Sequence, residues 1–368
     1  MERGVLAGRW TAVFTAVDRA AFTPDTVYAE VPGPGRRYEE VTRDGQRARW
    51  AELVASPGAV VTRLGRSPVD GLPVPSSSSS APAAVAAMVT ALDLTPGDRV
   101  LDLGTGTGWV AALLAAYGAR VTTVEADAHV AAEAAVRLAG YEGVTTVHGD
   151  AVQDHDLGDG FDAVHAGFAV RRIPLAWLIH TEPGARIVAP YGTLWSPTGL
   201  ARLVRDTDGS ATGHFSRTAV TFMWEHGQQP HWPEPDQDDA RMSASPVDPR
   251  ELLRSPAGRW ATGLQLPDVT YDPVPARGDR MLRLWSLDGS TAAVHVDHWA
   301  DPEGVAQTGR RSLWDEAVTA LNWWTGQARP ARDRFGLTTT PGGDTLWLDH
   351  PGQPVPNPAT RAAEPAPT

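Results

Sequence analysis

The chain contains neither cysteine nor lysine. The first absence excludes disulfides, thiolate metal sites and cysteine nucleophiles. The second leaves arginine as the only strong cation: all 32 basic residues are Arg. It also removes any Tyr/Lys pair of the kind hydride-transfer enzymes use. Positive charge is short overall. The formal net charge is −12, whereas a nucleic-acid binder ordinarily carries a basic field, so no DNA or RNA partner is expected. Long apolar runs are missing as well. Met1-Glu2-Arg3-Gly4 leads into none, so neither signal peptide nor membrane span is expected and the protein reads as cytoplasmic. No metal site is expected. Arg, Ala, Gly and Pro bias the composition toward that of a GC-rich bacterial genome, and there are no clear internal repeats.

At 368 residues the chain can hold one large domain and a smaller one. Residues 1–75 read as an N-terminal cap, with helices expected over 10–20 and 43–54 around a Phe22-Thr23-Pro24-Asp25 turn. Residues 76–226 read as an alternating strand–helix core, whose late strands are expected at 200–205 and 218–224. Residues 227–257, rich in Pro, Asp, Gln and Ser, read as a linker. Residues 258–350 form a further ordered unit, with strands at 280–286 and 291–299 and an amphipathic helix at 312–324. The Pro/Ala tail at 351–368 is expected to be disordered.

The most telling stretch is Val100-Leu101-Asp102-Leu103-Gly104-Thr105-Gly106-Thr107-Gly108-Trp109. It reads as a buried strand, a glycine turn and the first turn of an Ala/Leu-rich helix. Glycines let the backbone approach a ligand, and the new helix presents free N–H groups and a positive dipole end to a carboxylate. The pattern suits S-adenosylmethionine (SAM), with Asp102 placed for the methionine ammonium. Gly106-Thr107-Gly108-Trp109-Val110-Ala111 equally fits the dinucleotide pattern G-x-G-x-x-A. The downstream strands favour SAM. A second strand, Arg120-Val121-Thr122-Thr123-Val124, ends at Glu125 and Ala126, where an acid can accept from both ribose hydroxyls. A third, Val144-Thr145-Thr146-Val147-His148, ends at Gly149 and Asp150, an acid suited to the adenine amino group. Strands at 160–167 and 182–190 continue the pattern. Alternating strands and helices imply a parallel, doubly wound sheet with its ligand at the carboxyl ends, where Gly104, Thr105, Gly106, Gly108, Glu125, Ala126, Gly149 and Asp150 gather. Each acid taken alone also fits a helix N-cap.

Five serines, Ser76 to Ser80, precede Ala81-Pro82 and an apolar-periodic helix over 83–92. Composition alone would make them a flexible linker. Pro at a helix start places them at a helix N-terminus instead, a cradle for an anion.

Residues 78–193 resemble the protein-L-isoaspartate O-methyltransferase family. The resemblance rests on Ser78, Ser80, Ala81 and Pro82, on Leu94-Thr95-Pro96-Gly97-Asp98-Arg99-Val100-Leu101-Asp102, on Val147-His148-Gly149-Asp150, on Ile173-Pro174, and on Pro183-Gly184 with Ala189-Pro190. Residues 14–25 are similar to the family's N-terminal segment. Ala83 departs from the family's usual His. Residues 227–368 exceed a minimal repair enzyme and look like the C-terminal extension of actinobacterial relatives that accompany clusters for ribosomally made, modified peptides (RiPPs). The resemblance implies a Rossmann-like class I SAM-dependent methyltransferase core with an N-terminal cap and an α+β C-terminal extension. It implies a carboxyl O-methyltransferase, with S-adenosylhomocysteine (SAH) as product, esterifying an Asp or isoAsp carboxylate of a modified, cyclic peptide. The ester would then collapse to a succinimide (aspartimide) or isoaspartate.

Methyl transfer to a carboxylate needs no general base, because the acceptor is already ionised at neutral pH. It needs one oxygen held at near-attack distance. Ser80, assisted by Ser78, is the expected orienting group; Ser79 is the third candidate, the register within the run being open. His148 reads as structural, and His165 as either a pocket or a core residue. Arg171 and Arg172 lie in the loop after the fourth strand, as a solvated pair or as contacts for an acidic peptide. The tryptophans of the C-terminal unit are core residues or the wall of a peptide groove. Three other functions share these features: general repair of isoaspartyl proteins, a non-catalytic SAM-binding peptide chaperone, and an NAD-dependent oxidoreductase.

Overall fold

The computed structural model describes residues 8–33, 35–67, 70–153, 157–158, 160–236, 238–272 and 280–358. The chain forms two compact units. The first runs through Pro190 and adds Leu200–Gly213 and Thr339–Gly343; the second comprises Tyr191–Gly199, His214–Thr338 and the chain from Asp344. Among the described residues no helix is long and apolar enough to cross a membrane.

The first unit begins with α1 (Arg9–Ala16) and α2 (Arg19–Phe22). The Asp18 carboxylate accepts from the Ala20 N–H and so caps α2, as a short acceptor at an N-cap should. Trp10 stacks on Tyr117 with ring centroids 4.2 Å apart, and the Trp109 indole N–H donates to the Val17 carbonyl at 3.1 Å. The expected helix at 10–20 is therefore two helices, broken at Val17–Asp18. An antiparallel sheet follows in the order β2-β1-β3-β4, built from β1 (Thr26–Glu30), β2 (Tyr38–Thr42), β3 (Val60–Arg66) and β4 (Pro73–Ser79), with α3 (Arg47–Ala55) between β2 and β3. Val27, Val41, Val54, Val60 and Trp50 form its core.

The serine run is part of β4. Val60 pairs with Ser79 and Val61 with Ser78, with an irregular register at Arg63. The helix starts where the sequence puts it, α4 (Pro82–Ala91) opening on Pro82; the correction is that Ser76 to Ser79 are strand and, of the five serines, only Ser80 lies between strand and helix. The physical reason is that β3 offers an unpaired edge, and serine backbone N–H and C=O groups satisfy it as well as any others.

The larger sheet of the first unit carries β5 (Arg99–Leu103), β6 (Arg120–Glu125), β7 (Val144–His148), β8 (Phe161–Ala166), β9 (Thr181–Tyr191), β10 (Gly199–Arg205) and β11 (Ala211–Phe215), parallel from β7 through β9. Helices α5 (Trp109–Tyr117), α6 (Ala128–Leu138) and α7 (Leu175–Ile179) connect them. The strands lie in the order β11-β10-β9-β8-β5-β6-β7. β5 pairs in parallel with both β6 and β8, so the chain reverses direction across the sheet at β5. Ligands of doubly wound sheets sit at such a switch point. The strand expected at 218–224 is not formed. Its place beside β10 is taken by β11, which returns through a turn closed by the Asp206 N–H to the Ser210 carbonyl at 2.8 Å.

The second unit holds an antiparallel sheet in the order β12-β16-β15-β14-β13. Its strands are β12 (Arg241–Ser243), β13 (Val269–Tyr271), β14 (Met281–Ser286), β15 (Thr291–His295) and β16 (Val305–Thr308). Helices α8 (Arg250–Arg254), α9 (Pro256–Gln265) and α10 (Leu313–Gly326) complete it; the neighbouring strands β17 (Phe335–Thr340) and β18 (Gly343–Leu348) divide between the two units. Trp260, Trp314, Trp324 and Trp347 are buried, so these four aromatics are core rather than groove. The interval 227–257 contains β12 and α8. In the expected tail, Trp347 bridges to Pro354, while 359–368 lie outside the described residues.

Trp50 fills the N-terminal sheet's core and donates its indole N–H to the Pro24 carbonyl at 3.0 Å. Trp50→Ala removes both and is expected to cost about 3 kcal/mol or more. Chemical denaturation of the full chain measures it; a loss under about 1 kcal/mol would show that this sheet is not a packed element.

Candidate active site

Leu103 ends β5, and the chain enters a turn that only glycine makes without strain. Gly104, Gly106 and Gly108 have φ of 82°, 53° and 87°, all in the left-handed region closed to most L residues. At Gly104 space is a second constraint: a Cβ would lie 2.8 Å from the Phe168 ring. The turn is held against β6. The Gly104 N–H donates to the Val124 carbonyl at 2.8 Å, and the Gly106 N–H to the Glu125 carboxylate at 2.9 Å.

Glu125 takes a second bond from the Asp127 N–H at 3.1 Å, on its other oxygen. Each oxygen keeps a free lone pair. Asp127, rather than Glu125, caps α6: its carboxylate accepts from the Val130 and His129 N–H groups, which hold it below the usual carboxylate range. The Ala126 carbonyl lies 3.2 Å from His148 Nε2. The Gly149 N–H donates to the Glu125 carbonyl, so the ends of β6 and β7 are tied together. Asp150 accepts from the Val152 N–H at 3.0 Å and the Gln153 side chain at 2.9 Å. The glycine turn, Glu125 and Asp150 thus occupy the carboxyl ends of three adjacent strands, in the order the sequence implies.

Asp102 is placed differently from a free ammonium partner. It is 1% exposed. One oxygen meets His165 Nδ1 at 2.7 Å, and the other accepts from the Thr123 hydroxyl at 2.7 Å. Thr123 in turn meets the Thr105 hydroxyl at 2.7 Å. A buried chain of four side chains therefore runs from β8 through β5 and β6 into the glycine turn. His165 belongs to this core network, and its Nε2 has no partner among the described residues. No sequence signal links His165 or Thr123 to Asp102, because they lie on different strands and only the parallel register sets them side by side.

The serine strand ends beside the same turn. The Ser78 carbonyl is 3.9 Å from the position a Gly106 Cβ would take. Strand alternation separates the hydroxyls. Ser79 is 1% exposed, and its hydroxyl accepts from Arg19 Nε at 3.0 Å. Ser78 and Ser80 are half-buried, and no hydrogen bond engages their hydroxyls among the described residues. A cavity of about 370 Å³ beside the glycine turn is lined by Ser77, Gly106, Thr107, Thr62, Arg63 and Glu133 among others, but not by Ser78 or Ser80; it lies within the size range of small-ligand sites. Arg171 is half-buried and Arg172 exposed. Among the described residues no three His, Asp or Glu side chains converge as a metal site.

The family described as protein-L-isoaspartate(D-aspartate) O-methyltransferase matches residues 71–223. The enzyme of that name from Xanthobacter autotrophicus is 35% identical over 172 residues, which is 45% of this chain and 78% of the relative. The chain belongs to the protein-L-isoaspartate O-methyltransferase family. Members of this family are SAM-dependent protein carboxyl methyltransferases. A second relative, from Nitrosospira multiformis, is 36% identical over 37% of this chain and 58% of its own length; the Koribacter versatilis protein is 38% identical over 33% and 56%. The chain thus spans little more than half the length of these two. A solved protein-L-isoaspartate O-methyltransferase shares the fold at TM-score 0.51 and 14% identity, covering 94% of this chain and 96% of its own. The fold likeness therefore extends well beyond the residues the family match spans.

Thr123→Val keeps the shape of the buried chain and removes its central hydroxyl. It leaves one Asp102 oxygen without a donor, at an expected cost of about 2 kcal/mol. Thermal and chemical unfolding measure it; unchanged stability would refute the network as a structural element.

Proposed function

We propose that this protein esterifies an aspartyl or isoaspartyl carboxylate of a protein or peptide, with SAM as methyl donor and SAH as product. One observation carries the reading: the serine strand ends within van der Waals reach of the glycine turn, with the Ser78 carbonyl 3.9 Å from the Gly106 Cβ position.

The residues fit the donor. A side chain at Gly104 would run into the Phe168 ring, 2.8 Å from its Cβ, and glycine leaves the backbone of the turn open to a ligand. Glu125 retains an acceptor lone pair on each oxygen for the ribose hydroxyls. Asp150 stands at the next strand end for the adenine amino group, with Gly149 beside it. When bound, SAM supplies an electrophilic methyl group on a sulfonium. Asp102 has both oxygens engaged within the protein, so its part is to set the glycine turn through Thr123 and Thr105, and any contact with the ammonium is additional to that.

The chain's work on the acceptor is orientation. The acceptor carboxylate is ionised at neutral pH, so no side chain has to remove a proton. Ser80 and Ser78 donate their unengaged hydroxyls to one carboxylate oxygen. The other oxygen keeps its lone pairs for the methyl carbon. Ser79 faces the opposite side, toward Arg19, and supports the strand. Holding the acceptor in this way replaces a bimolecular encounter by a near-attack geometry. The product ester has a better leaving group than the carboxylate. The following backbone nitrogen forms a bond to the ester carbon, the C–OCH₃ bond breaks, and the nitrogen's proton leaves with methoxide as methanol. The imide can then hydrolyse to isoaspartate or aspartate.

A narrower acceptor lies within the same reaction: a modified, cyclic peptide made on the ribosome, as in the actinobacterial branch. The second unit, with its own five-stranded sheet, supports a dedicated acceptor. Against a dedicated role, a solved family member covers 94% of the chain, so an equivalent of this unit is compatible with action on damaged proteins. The two acceptors separate on a panel of linear isoaspartyl peptides and cyclic peptides, scored by the mass gain of one methylene. No gain on any acceptor, with SAH binding intact, would leave a binding module in place of an enzyme.

The double variant Ser78→Ala/Ser80→Ala is expected to lose about a hundredfold in kcat/KM, two hydrogen bonds to a charged group being removed, with SAH affinity unchanged. Glu125→Ala is expected to weaken SAH binding about tenfold. Kinetics and calorimetry read the two separately. If the serine variant methylates at the wild-type rate, the proposed acceptor site is wrong.

A further inference from the structure

Arg19 is a cation buried where, among the described residues, no carboxylate meets it. It is 7% exposed, and all five of its N–H groups are spent on neutral acceptors. Nε donates to the Ser79 hydroxyl at 3.0 Å and Nη2 to the Ser79 carbonyl at 2.8 Å. Nη2 also donates to the Gly58 carbonyl at 2.9 Å, and Nη1 to Val54 and Ser56 carbonyls at 3.1 and 3.2 Å. Its guanidinium lies 5.8 Å from the Trp109 ring centroid. Burial lowers its pKa to about 10, so it stays charged at neutral pH.

The chain's other desolvated guanidiniums divide. Arg332 also donates to neutral acceptors, the carbonyl and hydroxyl of Thr198 at 2.6 and 3.0 Å, and burial lowers its pKa; Arg311 is paired instead. Arg311 meets Glu316 at 2.6 Å and Asp268 at 2.5 Å. Such pairing is what the cost of burying a charge demands. The carbonyl contacts of Arg19 explain the fork-shaped side chain, since they tie α2, the end of α3 and β4 together. They do not balance its charge.

We infer that Arg19 is a positioning residue whose unbalanced charge, delivered through Ser79 at the end of the serine strand, draws the acceptor's carboxylate to Ser78 and Ser80. This rests on the reaction proposed above. Arg19 donates to the Ser79 oxygen, and the two residues flanking Ser79 carry the unengaged hydroxyls. The missing counter-charge is then the acceptor carboxylate itself. A neutral amide of the same shape would fit the hydroxyls but gain nothing from the cation.

The test compares a linear isoaspartyl peptide with its amide analogue on the full chain in the presence of SAM or SAH. Wild type should bind the carboxylate peptide about tenfold more tightly than the amide, on the scale of a partly screened charge pair. Arg19→Gln should raise KM for the carboxylate peptide about tenfold with kcat changed less than about threefold. It should leave the amide's inhibition constant and SAH affinity within about twofold. Arg19→Lys, which keeps the charge and loses most of the fork, should hold KM within about threefold of wild type even where its melting temperature falls. Equal weakening of carboxylate and amide peptides by Arg19→Gln would overturn the inference. So would Arg19→Lys losing as much as Arg19→Gln, or no charge preference in wild type, the last needing no variant to fold. Failure of the wild type to methylate any acceptor would instead sink the proposed reaction.

Discussion

The pairing of β4 with β3 is the constraint on which the site depends. A serine tract has no side chains long enough to anchor itself, and left in water it would be a flexible coil. Backbone pairing of Ser79 with Val60 and Ser78 with Val61 fixes both its position and its alternation. The pleat then sorts identical residues into different environments. Ser79 is sealed against Arg19, while its neighbours stay half-buried beside the glycine turn. A one-residue slip would exchange the two sets and bury the hydroxyls that the proposed chemistry uses.

The parts of this site that are legible in the sequence are those whose geometry is local. A strand, a turn at Gly104, Gly106 and Gly108, and a helix lie within one short stretch, and positive φ at each glycine is what that residue type is for. Glu125 and Asp150 emerge because strand ends recur with the strand–helix period. The serine strand is hidden because its partner, Val60–Arg66, is remote in sequence, while the adjacent Pro82 gives a strong local helix-start signal. The expected strand at 218–224 is absent for a related reason. A nearer segment, Ala211–Phe215, pairs with β10 through a tight turn closed at Asp206 and Ser210.

Asp102 shows a further limit. Its residue type and place at a strand end suggest an exposed ligand. The parallel register of β5 with β8 sets it opposite His165, and the register with β6 opposite Thr123. Two partners contributed by two other strands convert a surface acid into the centre of a buried network. No periodicity within β5 contains that information. The second unit behaves more simply: tryptophans at helix and strand spacing became core because burial of large apolar area is the default fate of such residues.

The electrostatics of the first unit separate the two species the proposed reaction brings together. Glu125 and Asp150 stand at the crest of the parallel sheet, and Arg19 stands behind the serine strand. A sulfonium cation and a carboxylate anion would each meet opposite charge on its own side. That arrangement resists the wrong occupancy as well as favouring the right one, since an anion at the sheet crest faces Glu125 and Asp150 and a cation at the serines faces Arg19. The desolvation that makes Arg19 costly to bury makes its attraction for a carboxylate stronger than it would be in water. The same burial keeps salt from screening it as it would screen a surface arginine. A charge stored in this way destabilises the protein without its acceptor and is compensated when the acceptor binds.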